Sequence, residues 1–202
     1  MSAVVADCDV LNFTLIHLKL GVDVQGLLSQ CGRQIISLDR VYRREAQAPL
    51  RSALDHLREI GLCELVTHPS ERSLAKKHSK ILQKVYRLAE RYYPLTSEND
   101  RGLLVEAECR SAPLFTEDGP LRALAAARKH PTFDALDLVA LLYELQCIDT
   151  VRRDSLQSGI AARMLPAPRA DTNLLRERGS VIERICSPPE EQGADDASEP
   201  AP

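Results

Sequence analysis

The chain has 202 residues, 44% hydrophobic and 27% charged, which suits one globular domain of about 150 residues plus an extension. Its net charge of −3 is uneven, because Ser187–Pro202 carries five acids and no base, leaving about +2 on the remainder. No apolar run approaches the roughly 18 residues of a membrane span, and Cys8, Cys31, Cys63, Cys109, Cys147 and Cys186 form no Cys-x-x-Cys pair, which argues against zinc-ribbon and disulfide-stapled classes.

In chain order, a strand over 3–7 runs into an apolar helix from Val10 to Leu20, which Gly21 stops. A helix over Val24–Gln30 precedes a strand over Gln34–Leu38, and a helix begins near Asp39 with Glu45 in or beside it. Pro49 suits the first turn of a helix reaching Ile60 and closed by Gly61, and Cys63–Thr67 reads as a short strand. From Pro69 to Tyr92 the apolar residues Leu74, Ile81, Leu82, Val85, Leu88 and Ala89 recur at helical spacing. On the opposite side Arg72, Lys76, Lys80, Lys84, Arg87 and Arg91 fall within an arc of about 120°. A helix over Glu98–Arg110, a strand over Pro113–Thr116 and a helix over Leu121–Lys129 follow. Phe133–Asp137 reads as an edge strand, Leu138–Gln146 and 150–165 as helices, and Asn173–Ile185 as a short amphipathic segment. Alternation of short apolar runs with helices is the pattern of a mainly parallel sheet covered on both faces, a three-layer α/β/α fold. The expected organisation is a domain over 1–149, a helical extension over 150–186, and an acidic tail over 187–202 without the apolar content to order itself. The absence of a basic leader and apolar core at the amino terminus points to the cytoplasm.

Four acids stand out against this frame. Asp7 ends the run Ala3-Val4-Val5-Ala6, Glu45 follows Ile35-Ile36-Ser37-Leu38, Asp100 opens a helix, and Asp118 follows Leu114-Phe115-Thr116-Glu117. Ligand sites of open α/β sheets lie at the carboxyl ends of the strands, where gathered carboxylates repel one another unless a cation sits between them. Each acid alone has a plainer explanation. Asp7 or Asp9 would cap the first helix, Ser97 and Asp100 have capping-box spacing, Asp118-Gly119 is an ordinary turn dipeptide, and Glu45 suits a solvated helix face. All four in order carry more weight than any one.

These residues resemble the PIN-domain family (PilT amino-terminal), metal-dependent ribonucleases that include toxins of VapBC-type toxin–antitoxin pairs. The resemblance spans roughly residues 3–147. It rests on Val4-Val5-Ala6-Asp7-Cys8-Asp9-Val10-Leu11, on Glu45 after Val41-Tyr42-Arg43-Arg44, on Asp100 with Ala107 seven residues on, and on Thr116-Glu117-Asp118 followed by Leu121, Arg122 and Ala125. It implies a PIN-like domain that hydrolyses RNA phosphodiesters with Mg²⁺ or Mn²⁺. Asp7, Asp100 and Asp118 would be the direct or water-mediated metal ligands, and Glu45 would serve a second ion or orient water. Asp9 and Thr116 would support them, Asp9 by sharing or taking over the role of Asp7 and Thr116 by hydrogen-bonding a ligand carboxylate or a metal-bound water. Asp9 stands where the family more often has a neutral polar residue, and Gly119-Pro120 replaces the usual polar pair. The partners implied are RNA, an antitoxin protein and a second copy of the chain, with no membrane. The six bases from Arg72 to Arg91 are either a solvated face or a sequence-independent RNA surface. The alternative to an enzyme is a catalytically inactive PIN-like module that binds RNA or protein.

Overall fold

The computed structural model describes residues 2–67 and 72–163. Five strands, β1 (Ser2–Ala6), β2 (Arg33–Leu38), β3 (Cys63–Val66), β4 (Leu114–Phe115) and β5 (Thr132–Phe133), form one sheet in the order β3-β2-β1-β4-β5. Every pairing is parallel. The chain therefore winds outward in one direction to β3, then crosses over β1 to build β4 and β5 on its other side. The strand order reverses beside β1, at the point where open α/β sheets form their ligand crevice.

The helices are α1 (Cys8–Leu11), α2 (Gly21–Cys31), α3 (Asp39–Glu45), α4 (Ala48–Glu59), α5 (Arg72–Tyr92), α6 (Glu98–Arg110), α7 (Gly119–Ala127), α8 (Ala135–Glu144) and α9 (Thr150–Arg163). Strand residues alternate between the two layers they support. Val4, Ile35, Phe115 and Phe133 face the layer of α1, α2 and α8, where together with Leu11, Leu15, Val24, Leu27, Leu28, Leu138 and Leu141 they surround a cavity of about 40 Å³. Phe115 and Phe133 stack there with ring centroids 4.4 Å apart. Val5, Ile36 and Leu114, in register with one another, point to the opposite face. On that side α6 packs against β1, β2 and β4, and α5 lies outside it, antiparallel to it. Both sheet faces are thus covered by helices, and burying runs such as Val4-Val5-Ala6 on both sides supplies the main driving force for the fold.

Most predicted elements appear, with three differences. The first helix begins at Cys8 and widens into π-helical turns over Asn12–His17, where the Thr14 hydroxyl donates to Val10 O at 2.7 Å. Gly21 is the first residue of α2 and does not merely end the preceding helix. The expected strand over Phe133–Asp137 is only Thr132–Phe133, because Asp134 and Asp137 form a reciprocal capping box that starts α8 at Ala135. The described part of the extension, α9, is docked: Ile160 is fully buried, and Arg152 pairs with Asp23 of α2 at 3.0 Å. Cys8, Cys63, Cys109 and Cys147 are free thiols. The segment Asn173–Ile185, the acidic tail and Cys186 lie outside the described residues. Among the described residues, no helix is long and apolar enough to cross a membrane.

Candidate active site

Asp7 follows the last residue of the central strand, and its backbone amide donates to Phe115 O at 3.1 Å, so the β1–β4 ladder fixes its position. It projects on the α6 side, two residues beyond Val5, and is only 6% exposed. Although Asp7 holds the N-cap position of α1, its carboxylate makes no capping hydrogen bond, so capping does not explain it. The fully buried Thr116 hydroxyl donates to Asp7 Oδ2 at 3.5 Å. Burial above all, and then the charges of Asp9, Asp100 and Glu45, lift its pKa from 3.8 to about 7; only the Cys8 amide opposes the rise. A buried carboxylate pushed upward by three others is the electrostatic signature of a cation or acid–base site.

The three neighbours arrive from separate elements. Asp9 is exposed in the first turn of α1. Glu45 is the last residue of α3, exposed, and accepts a short hydrogen bond from the Asn99 side chain on α6. Asp100 sits at the third position of α6, where Ser97 and Asp100 form a reciprocal capping box: the Asp100 amide donates to Ser97 Oγ at 3.1 Å and the Ser97 amide to Asp100 Oδ2 at 2.7 Å. The plainer reading of Asp100 is therefore also true, and the cap fixes the carboxylate at the positive end of α6.

Asp118 stands apart from this group. Its carboxylate caps α7, accepting from the Leu121 amide at 2.6 Å, and it is not among the principal charges acting on Asp7. Thr116 links the two, since its hydroxyl both accepts from the Asp118 amide at 3.1 Å and donates to Asp7. Among the described residues no three His, Cys, Asp or Glu side chains form a ready ligand cluster. Asp7, Asp9, Glu45 and Asp100 are grouped electrostatically, without a finished coordination shell.

Two residues outside the predicted set tie the site together. Asn99 bridges α6 to Glu45. Arg40, at the start of α3, donates to Glu98 O at 2.9 Å and Glu98 Oε1 at 3.2 Å, clamping α3 to the amino end of α6. The guanidinium passes over Gly102, where an added Cβ would lie 2.3 Å from Arg40 Nη2. These partners are 54 and 58 residues apart in sequence, so no local pattern announces them.

Of the basic stripe, Lys76, Lys80, Lys84, Arg87 and Arg91 are exposed, while Arg72 is described in its backbone alone. No family model matches this chain, and no curated protein matches it.

Proposed function

We propose that this chain is a divalent-cation-dependent endoribonuclease with a PIN-like site at the carboxyl edge of β1. The single observation that carries this reading is Asp7: a nearly buried carboxylate at the strand-order reversal, raised to about 7 by burial and by the charges of Asp9, Asp100 and Glu45. The fold accepts this electrostatic cost at Asp7, and a bound cation would relieve it.

The donor chemistry fits Mg²⁺ or Mn²⁺, because the group consists of carboxylate oxygens. Asp7, Asp100 and Glu45 would hold the ion, with Asp9 and Asp118 contributing charge from the rim. Such an ion, when bound, lowers the pKa of its water and offsets charge developing on a phosphodiester. The protein supplies the positioning. Thr116 orients Asp7, the Ser97–Asp100 box fixes Asp100, and Asn99 restrains Glu45. The capping roles of Asp100 and Asp118 favour, as the second reading, a binding module of the same shape without catalysis.

Incubating the full chain with an unstructured RNA and Mg²⁺ or Mn²⁺ separates the two. The nuclease reading expects cleavage that Asp7→Asn abolishes while leaving the circular dichroism spectrum unchanged. Absence of cleavage with either ion, or full activity in Asp7→Asn, overturns it. Saturable Mn²⁺ binding, lost in Asp7→Asn, is expected of the site independently of turnover.

A further inference from the structure

The outer face of α5 serves no structural purpose visible in the fold. Val85 and Ala89 are fully buried against α6, and Lys77 is drawn to the other end of the hairpin, donating to Cys109 O at 2.7 Å. Lys76, Lys80, Lys84 and Arg87 are exposed on the opposite side, and none forms an ion pair among the described residues. Successive bases along Lys76, Lys80, Lys84, Arg87 and Arg91 are three or four residues apart, so they rise about 4.5–6 Å at each step. That is comparable to the step between phosphates in an extended single strand.

The stripe has a direction. Because α5 and α6 are antiparallel, its Arg87–Arg91 end lies beside the amino end of α6, as the approach of Tyr86 Oη to Glu98 O and of Arg101 to the Tyr86 ring shows. Asp100 and Asn99 belong to that same turn of α6. At this tip Tyr92 is 50% and Leu95 83% exposed, and the Arg91 guanidinium lies 5.0 Å from the centre of the Tyr92 ring. A half-exposed aromatic ring and an exposed leucine thus stand at the end of the row of cations. They match what a polynucleotide requires: cations for phosphates and a π-face for an unpaired base.

We infer that the α5 face and the Tyr92–Leu95 tip form a track for single-stranded RNA, with phosphates along Lys76–Arg91 and one unstacked base on Tyr92, leading the strand toward the acid site. The track takes the identity of its occupant from the nuclease reading, but its binding is measurable without turnover. An acidic protein segment would satisfy the cations and leave the aromatic tip unused. Duplex RNA would offer phosphates and no free base.

The test is anisotropy of a fluorescein-labelled 12-nucleotide unstructured RNA with the full chain in EDTA, across a range of KCl concentrations. Each phosphate contact on a single strand contributes about 0.7 to the slope of log K against log salt. The triple variant Lys80→Gln/Lys84→Gln/Arg87→Gln is therefore expected to lower that slope by about 2 and weaken binding at low salt at least tenfold. Tyr92→Ala is expected to weaken binding about tenfold with the slope unchanged, and Tyr92→Phe to retain it. Wild-type affinity and slope in the triple variant overturn the track. Equal affinity for a duplex of the same length, or indifference to Tyr92→Ala, overturns its single-strand preference. Binding that depends on α5 in a protein that never cleaves with Mg²⁺ or Mn²⁺ removes the nuclease reading and leaves the track. Cleavage with unaltered binding in the triple variant does the reverse.

Discussion

Replacing Asp7 by Asn is expected to stabilise the protein, and by an amount that depends on pH. The carboxyl pKa rises from 3.8 to about 7 on folding, about three units at about 1.4 kcal/mol each, or about 4 kcal/mol at most. The sign follows from proton binding. Below pH 3.8 the group is protonated in both states and costs nothing. Between 3.8 and 7 the unfolded chain releases its proton while the native state keeps it, so stability falls as pH rises. Above 7 both states are ionised and the whole cost is present. Set against a typical unfolding free energy of about 5–15 kcal/mol, this is a large fraction. Urea unfolding of wild type and Asp7→Asn at pH 5, 6, 7 and 8 in EDTA should give curves that diverge with pH, the variant being the more stable at pH 8. Mn²⁺ at about 100 times its dissociation constant should return about 2.7 kcal/mol to the wild type and nothing to the variant. A variant less stable than wild type at pH 8, or a gap that stays constant from pH 5 to 8, refutes the burial argument. Equal stabilisation of both proteins by Mn²⁺ refutes the placement of the ion at Asp7.

Ser97→Ala removes the Oγ that accepts from the Asp100 amide and is expected to cost about 1 kcal/mol in chemical unfolding, while the Ser97 amide still holds the Asp100 carboxylate and Mn²⁺ binding is kept; Ser97→Thr should preserve the stability. Gly102→Ala places a Cβ 2.3 Å from Arg40 Nη2 and 3.1 Å from Leu38 Cδ1, so the helix-propensity gain of about 1 kcal/mol is expected to be cancelled. The same change in an Arg40→Ala background should recover at least about 0.5 kcal/mol of it, and a double-mutant cycle without coupling would show that the clamp does not act on Gly102. Ser37→Ala should be neutral or stabilising by up to about 1 kcal/mol in thermal or urea unfolding. That hydroxyl is fully buried in β2 and, apart from the Cys8 thiol beside it, has no hydrogen-bond partner among the described residues.

The sheet was legible because each strand is a short apolar run broken by polar punctuation, and burial on both faces leaves no alternation to confuse with an amphipathic helix. The α5 face was legible for the converse reason, since its bases and apolar residues separate cleanly at 3.6-residue spacing. The β5–α8 boundary was misread although Asp134-x-x-Asp137 has the spacing of a capping box, because Phe133 and Ala135 sustain a strand-like run through it. The π-helical turns left no signal in composition, and Thr14 back-bonding to Val10 O is ordinary within any helix. In the site, the acids could be named from their places after strands and at helix starts. Their grouping could not: Asp7 meets Thr116 across 109 residues and Glu45 meets Asn99 across 54, contacts made only by the crossover. Asp118 shows the limit most clearly, since a strand-end acid before Gly-Pro is equally a helix cap, and its carboxylate bonds Leu121.

The crossover also imposes an order on synthesis. β1 leaves the ribosome before the other four strands, yet it is the central one, and its second neighbour, β4, pairs Val5 with Leu114. Until residue 114 has been made, one edge of β1 is open, and the Asp7 amide lacks the Phe115 carbonyl it will bond. Contacts of such sequence separation are slow to form and leave a sticky strand exposed in the meantime. A chain released early would carry β1, β2 and β3 with the edge of β1 unprotected, and would lack Thr116 to orient Asp7. Asp7 thus gains both the carbonyl that holds its amide and the hydroxyl that meets its carboxylate only once residues 115 and 116 have been made.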